Sequence, residues 1–233
     1  MSITPAITRR LTGEIAYRAP NGDVLGRESF DLISHRGGHV LRALCMMDDI
    51  GLVRDVSLSM DLEWLPEEGY CRIIGAGRTE AALWFRVVPQ GVCVDTSLQG
   101  KCEPQQFIPT ENRLRYLGLH PLQGDALIVE QRGVDEPGTF RPIETVTNSV
   151  SPNGDEAVAG TYMQINAAYI GNEKIEVSAG SFSARRYALR WRQDWPAADL
   201  WVREEDNLFL KMHWSMIPTW YELTAWHEER HDS

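Results

Sequence analysis

Apolar and polar side chains alternate along most of this chain. The longest run is 52–64, where Leu52, Val56, Leu58, Met60, Leu62 and Trp64 fall on one parity and Asp55, Ser57, Ser59, Asp61 and Glu63 on the other. Successive side chains of a strand point to opposite faces, so a period of two predicts a half-buried antiparallel strand. The same pattern predicts strands over 11–17, 24–33, 39–47, 70–74, 81–88 and 92–98. Turn signals such as Pro20-Asn21-Gly22-Asp23, Pro66-Glu67-Glu68-Gly69 and Pro89-Gln90-Gly91 separate them in the rhythm of a meander. Further strands are predicted over 126–131, 161–170, 175–177, 182–191, 200–203, 208–214 and 220–226, with a short helix over 110–117 capped by Thr110. Residues 134–156 hold Pro137, Gly138, Pro142, Pro152, Asn153 and Gly154 with little periodicity and are expected to be a long loop; 227–233 are expected to be a disordered tail. About a dozen long strands must hide their edges. The expected fold is therefore all-β with minor helix: one large curved antiparallel sheet forming a half-barrel or barrel around a cavity.

Composition narrows the partners. The chain has 233 residues and a formal charge of −10, which excludes a basic nucleic-acid module. With 43% hydrophobic and 24% charged residues it can bury a full core, and no repeat or linker divides it, so a single domain is expected. The longest stretch without a charge, 157–172, has 16 residues and contains Tyr162, Gln164 and Asn166. That is short of the roughly 20 apolar residues of a spanning helix, so no membrane span is expected. Arg9-Arg10 is followed by a mixed segment rather than an apolar signal core, which gives a cytoplasmic expectation. Cys45, Cys71, Cys93 and Cys102 form no C-x-x-C pair and are read as free, mostly buried thiols.

The second half carries a recognisable succession: Leu119-His120-Pro121-Leu122-Gln123-Gly124-Asp125, then Lys174-Ile175-Glu176-Val177-Ser178-Ala179-Gly180-Ser181-Phe182, Tyr187, Leu200-Trp201-Val202 and Asn207-Leu208-Phe209-Leu210. Over about 119–226 this resembles a bacterial family of uncharacterised β-proteins related to the LolA-like lipoprotein-carrier half-barrels. The resemblance implies a turn before a strand at Pro121–Asp125, a hairpin leading to the Tyr187 strand, and a concave sheet with an apolar interior suited to lipids or hydrophobic small molecules. It carries over no catalytic motif. Its members are typically exported, unlike the cytoplasmic expectation here.

Familiar motifs are few. His227-Glu228-Glu229-Arg230-His231 fits H-E-x-x-H, but no helix precedes it to set the two histidines on one face, and no metal site is expected. His35 and His39 flank Arg36-Gly37-Gly38 in the manner of a hairpin. Gly75-Ala76-Gly77 lacks the third glycine and helix of a dinucleotide site, and neither G-x-S-x-G nor a P-loop occurs. No cofactor is expected.

Polar residues on apolar rows are the remaining candidates. Arg54 interrupts the apolar face of 52–64, where a guanidinium needs a partner, and Trp84 shares a row with Arg86, a pairing suited to an aromatic or carboxylated ligand. Phe209, Lys211 and His213 alternate against Leu208, Leu210, Met212 and Trp214. If the Phe209 face lines the cavity, Lys211 and His213 lie together inside it as an acid–base pair. Tyr187 and Tyr221 offer phenolic groups, and six of the eight tryptophans fall between Trp191 and Trp226 as core or ligand wall. The expectation is a cofactor-independent lyase or isomerase acting on a hydrophobic, aromatic substrate. Lys211, His213 and Tyr187 are its catalytic candidates; Arg54, Trp84, Arg86 and Tyr221 are its binding candidates. The alternative is a non-catalytic carrier of lipids or hydrophobic metabolites, and a third option is a structural dimerisation protein, a homodimer whose edge strands pair.

Overall fold

Backbone pairing turns the alternating pattern into one antiparallel sheet. The computed structural model describes residues 7–152 and 159–231. In chain order the elements are β1 (Ile7–Arg18), β2 (Val24–His35), β3 (Gly38–Met47), β4 (Leu52–Met60), β5 (Pro66–Gly75), β6 (Arg78–Val88), β7 (Gly91–Leu98), β8 (Lys101–Cys102), β9 (Gln106–Pro109), β10 (Tyr116–Gly118), α1 (Leu122–Leu127), α2 (Val129–Arg132), β11 (Arg141–Thr147), β12 (Thr161–Val177), β13 (Gly180–Arg190), β14 (Ala198–Arg203), β15 (Phe209–His213) and β16 (Trp220–Arg230).

The sheet runs β10-β11-β12-β13-β14-β15-β16-β1-β2-β3-β4-β5-β6-β7-β8, with β9 also paired to β7. Its neighbours are antiparallel except β10 and β11, which run parallel. Register shifts at Glu14/Ile15, Ser59/Met60, Ile73/Ile74, Tyr169/Gly171 and Trp201/Val202 add twist where the sheet bends. Among the described residues the ladder does not close, so the sheet is an open half-barrel. Across the gap, Gln106 of β9 donates from Nε2 to the carbonyl of Gly160 at 2.9 Å and accepts the Gly160 N–H at 3.1 Å.

The concave side is filled by the chain between β9 and β11. Leu114, Leu117, Leu122, Leu127 and Ile128 are buried against Leu11, Ile15, Leu41, Leu83 and Phe85 of the strands. β10 can lie across β5 because Gly69 has no side chain: a Cβ there would come within 2.6 Å of Leu117 Cδ2 and 2.8 Å of Leu119 Cδ1. All four cysteines are free; Cys45 and Cys71 are buried, Cys102 exposed. Among the described residues no helix is long and apolar enough to cross a membrane.

Several expected elements differ. The helix expected over 110–117 is a bend followed by β10, while the strand expected over 126–131 is helical. The apolar run Ala126-Leu127-Ile128-Val129 has no alternation, and a short run of that kind fits a buried helix as well as a strand. The turn expected at Pro66–Gly69 is the start of β5. The loop expected over 134–156 contains β11, which takes its hydrogen bonds from β12 and β10; residues 153–156 lie outside the described residues. The expected tail is the end of β16, paired with β1 through Arg230↔Arg9 and His227↔Thr12; residues 232 and 233 lie outside the described residues. Because 227–230 are extended, histidines four positions apart are separated by about 13 Å along the chain and cannot share a metal ion.

Candidate active site in the half-barrel

The functional geometry gathers around α1. Its first N–H groups have no carbonyl to bond within the helix, and its N-cap, Pro121, has no side-chain donor or acceptor to offer. Glu28 of β2 reaches in from the sheet instead. Its Oε2 accepts the Leu122 N–H at 2.7 Å, and its Oε1 accepts the Gln123 N–H at 3.0 Å. The Tyr17 hydroxyl and Cys45 thiol also face it, at 3.4 and 3.5 Å. Burial pushes the Glu28 carboxyl up to about 7, against the pull of the two backbone donors. Gln123, fully buried, locks the other flank: Oε1 accepts the Phe209 N–H at 2.9 Å and Nε2 donates to the Asn207 carbonyl at 3.2 Å.

Held in this way, α1 presents Asp125 to a cavity whose walls also include Tyr116, His120, Ser149, Met212, Tyr221 and the indoles of Trp191, Trp195 and Trp214. Tyr116 donates its hydroxyl to Asp125 Oδ1 at 2.8 Å. Burial drives the Asp125 carboxyl up to about 7, partly opposed by that bond, and the charge of Glu28 adds to the rise. The tryptophans pack as a corner: Trp214 is 5.1 Å from Trp191 and 5.4 Å from Trp195, at tilts of 47° and 51°. Trp214 donates its indole N–H to the Pro196 carbonyl at 2.8 Å, which orients the ring.

His120 lines both this cavity and a second one that also includes Tyr17, Met47 and Asp49; Leu122 and Tyr221 are likewise common to both. The backbone of His120 has φ +90°, a conformation few residues other than glycine adopt. Its Nδ1 lies 3.2 Å from Ser149 Oγ. Burial, reinforced by the Arg54 charge, holds the imidazole well below its usual range, so it is neutral at physiological pH.

The expected site residues divide. Tyr221 lines the cavity, packed edge-on to Tyr17 at 5.1 Å. Arg54 is fully buried but stands behind His120, donating to the carbonyls of Asn148 at 3.2 Å and Leu119 at 3.5 Å. It is a strut for the cavity wall, not an anion site facing a ligand. Tyr187 is buried in the core, 5.4 Å from the Tyr169 ring, and burial pushes its phenol up to about 12.

Lys211 and His213 are a correction. The register shift at Trp201/Val202 turns Phe209 inward beside Leu210, so Phe209 does not mark the face on which Lys211 and His213 lie. Met212 and Trp214 line the cavity, while Lys211 lies over Trp201 and Trp220 on the outer face and His213 is exposed. Trp84 and Arg86 are also outside: the guanidinium covers the indole at 4.8 Å and pairs with Asp95 at 2.7 Å, and Trp84 is 42% exposed.

His120 and Asp125 were in view in the sequence, inside the turn motif at 119–125, but their chemistry depends on burial that no local pattern reports. Tyr116 and Ser149 had no sequence signal. Trp191, Trp195 and Trp214 belonged to the tryptophan cluster noted there. Among the described residues no group of three His, Cys, Asp or Glu side chains is placed to hold a metal ion.

No family model and no curated protein matches the chain. Solved structures that match the chain include two of unknown function. One is a β-barrel-like protein of the domain of unknown function DUF1849 from Brucella abortus, with a TM-score of 0.59 at 8% identity over 98% of this chain and 99% of that one. The other is a DUF1089 family protein from Pseudomonas aeruginosa, with a TM-score of 0.48 at 12% identity over 78% of this chain and 87% of that one. The first likeness extends over nearly the whole of both chains and establishes a barrel-like β-fold.

Proposed function

We propose that this protein binds a hydrophobic, aromatic small molecule in the cavity beside α1. The observation that carries the reading is that three indoles line the same half-enclosed space as Asp125, Tyr116 and His120. Ligand sites combine apolar walls with a few convergent polar groups, and planar guests gain both area and ring contacts from tryptophan. Holding such a guest in a concave sheet is the LolA-like mode of use, and carriage or sequestration is the function it supports first.

Acid–base turnover is the second reading. It rests on Asp125, whose carboxyl burial pushes up to about 7, bonded to the Tyr116 phenol and lining the same cavity as a neutral imidazole. Such a group can give or take a proton at neutral pH, as an isomerase or lyase requires. Native mass spectrometry of the purified protein tests binding: an aromatic guest that Trp214→Leu releases supports the proposal, and a cavity that neither retains nor takes up aromatic compounds refutes it. For any guest found, conversion by the wild type that Asp125→Asn abolishes at saturating guest supports the second reading, and a guest that the wild type holds unchanged supports a carrier.

A further inference from the structure

The walls of the cavity are unequal in charge. Five aromatic residues, Tyr116, Trp191, Trp195, Trp214 and Tyr221, surround a space in which, among the described residues, Asp125 is the one carboxyl group and no lysine or arginine takes part in the lining. His120 adds no charge, being held neutral. Ring faces carry negative potential, and several converging on a desolvated space attract a cation, most of all an organic ammonium group whose apolar surface also needs burial. One of these indoles already does so: Arg192 lies over Trp195 at 5.0 Å, its own charge matched by Asp194 at 3.2 Å.

From this arrangement, and building on the binding role proposed above, we infer that the cavity takes an organic ammonium compound, its cationic head against the indoles and Asp125 and its apolar body along Met163, Ile165 and Met212. A neutral guest of the same shape would fill the space but gain nothing from the carboxylate or the ring faces.

The inference fixes the sign of the pH dependence. A cation favours ionised Asp125, so binding releases a proton and affinity rises as pH passes upward through the carboxyl's range near 7. The groups around Asp125 are Tyr116 on β10, Tyr221 on β16, Glu28 of β2 beneath the helix, Arg54 of β4 behind His120, and Asp49 beyond Tyr221. Both tyrosines are held protonated. Glu28 titrates in the same range and with the same sign, because its ionisation also favours a nearby cation. Arg54 keeps its charge throughout and only lowers the whole curve.

The test compares phenyltrimethylammonium with its uncharged isostere tert-butylbenzene by quenching of tryptophan fluorescence in the intact protein. Ammonium binding is expected to be at least about tenfold tighter at pH 8, the scale of a desolvated cation–π contact, with the advantage shrinking severalfold at pH 5. Asp125→Asn should lower ammonium affinity toward that of the isostere and leave the isostere unchanged. Equal or tighter binding of tert-butylbenzene to the wild type overturns the inference and leaves the binding role standing. An Asp125→Asn variant that weakens both compounds alike also overturns it. Saturable quenching by neither compound removes both the inference and the binding role.

Discussion

The hydroxyl of Tyr116 donates to Asp125 Oδ1 at 2.8 Å, tying β10 to α1 at the cavity wall. The bond favours the ionised carboxylate, and burial favours the neutral acid; their balance leaves Asp125 near 7. Tyr116→Phe removes the bond and leaves burial in place. The Asp125 carboxyl should then titrate above its wild-type value, and stability should fall by about 1 to 2 kcal/mol through the unmatched acceptor. Carboxyl carbon shifts followed by NMR across pH 4 to 9 would show the rise, and superimposable titrations would contradict the balance described.

Glu28 sets a pH dependence for folding. Its carboxyl is near 7 in the folded protein and near 4.5 when exposed, so the folded state binds more protons between those values. Stability from this group is therefore greatest in acid and declines as pH rises from about 4.5 to 7, by up to roughly 3 kcal/mol. Glu28→Gln should flatten the profile relative to wild type, gaining most above pH 7. Urea unfolding of both proteins at pH 5, 6, 7 and 8 measures the difference directly; parallel profiles would show that Glu28 stays ionised without cost.

Arg54 joins the sheet to the wall behind His120. Arg54→Met keeps much of the apolar stem but abandons the carbonyls of Asn148 and Leu119, and a loss of roughly 3 kcal/mol is expected. Removal of the neighbouring charge should also let the His120 imidazole titrate closer to its ordinary range. Denaturant melts and histidine NMR shifts give the two readouts. A variant with unchanged His120 titration would separate the two residues electrostatically.

The end of β16 completes the pairing of β1. Glu228 accepts from Arg9 Nε at 2.7 Å and from Arg230 at 2.6 Å, beside the ladder from Arg230↔Arg9 to His227↔Thr12. Deleting 227–233 should lower the thermal midpoint by several degrees, at about 2 to 4 °C for each kcal/mol lost in a chain of this size. Amides of 227–230 should exchange slowly in the intact protein. Rapid exchange there, or an unshifted midpoint, would return this segment to the status of a tail.

Lys211 and His213 lie away from the cavity. Lys211→Ala and His213→Ala should leave guest binding within about twofold of wild type, since surface changes of this kind cost about 0.5 kcal/mol or less. A tenfold loss of binding in either would place the functional face on the other side of the sheet.

Most strands were legible because alternation is a local property. The row of Leu52, Val56, Leu58 and Met60 and the strands on either side of it needed only a period of two. Arg54 was legible as an oddity in that row, yet its partners come from residues 119 and 148, far along the chain. Lys211 and His213 were misplaced for a definable reason: one register shift in β15 puts two successive residues, Phe209 and Leu210, inside, and parity read along the sequence cannot carry across such a step. The segment from Ala126 to Gln131 failed because an apolar run without alternation does not distinguish strand from buried helix.

By itself, then, the sequence determined an acidic, β-rich chain whose alternating rows make a curved sheet with an apolar inner face. Tertiary structure alone decided what that face does. It folds the 114–132 segment into the concavity and uses Glu28 to hold the start of α1. It also sets Asp125 and His120 against tryptophans that lie 66 or more residues away in the chain. Protonation states near neutrality arise from that burial and those long-range neighbours, and neither can be read from spacing because both depend on which distant residues exclude water.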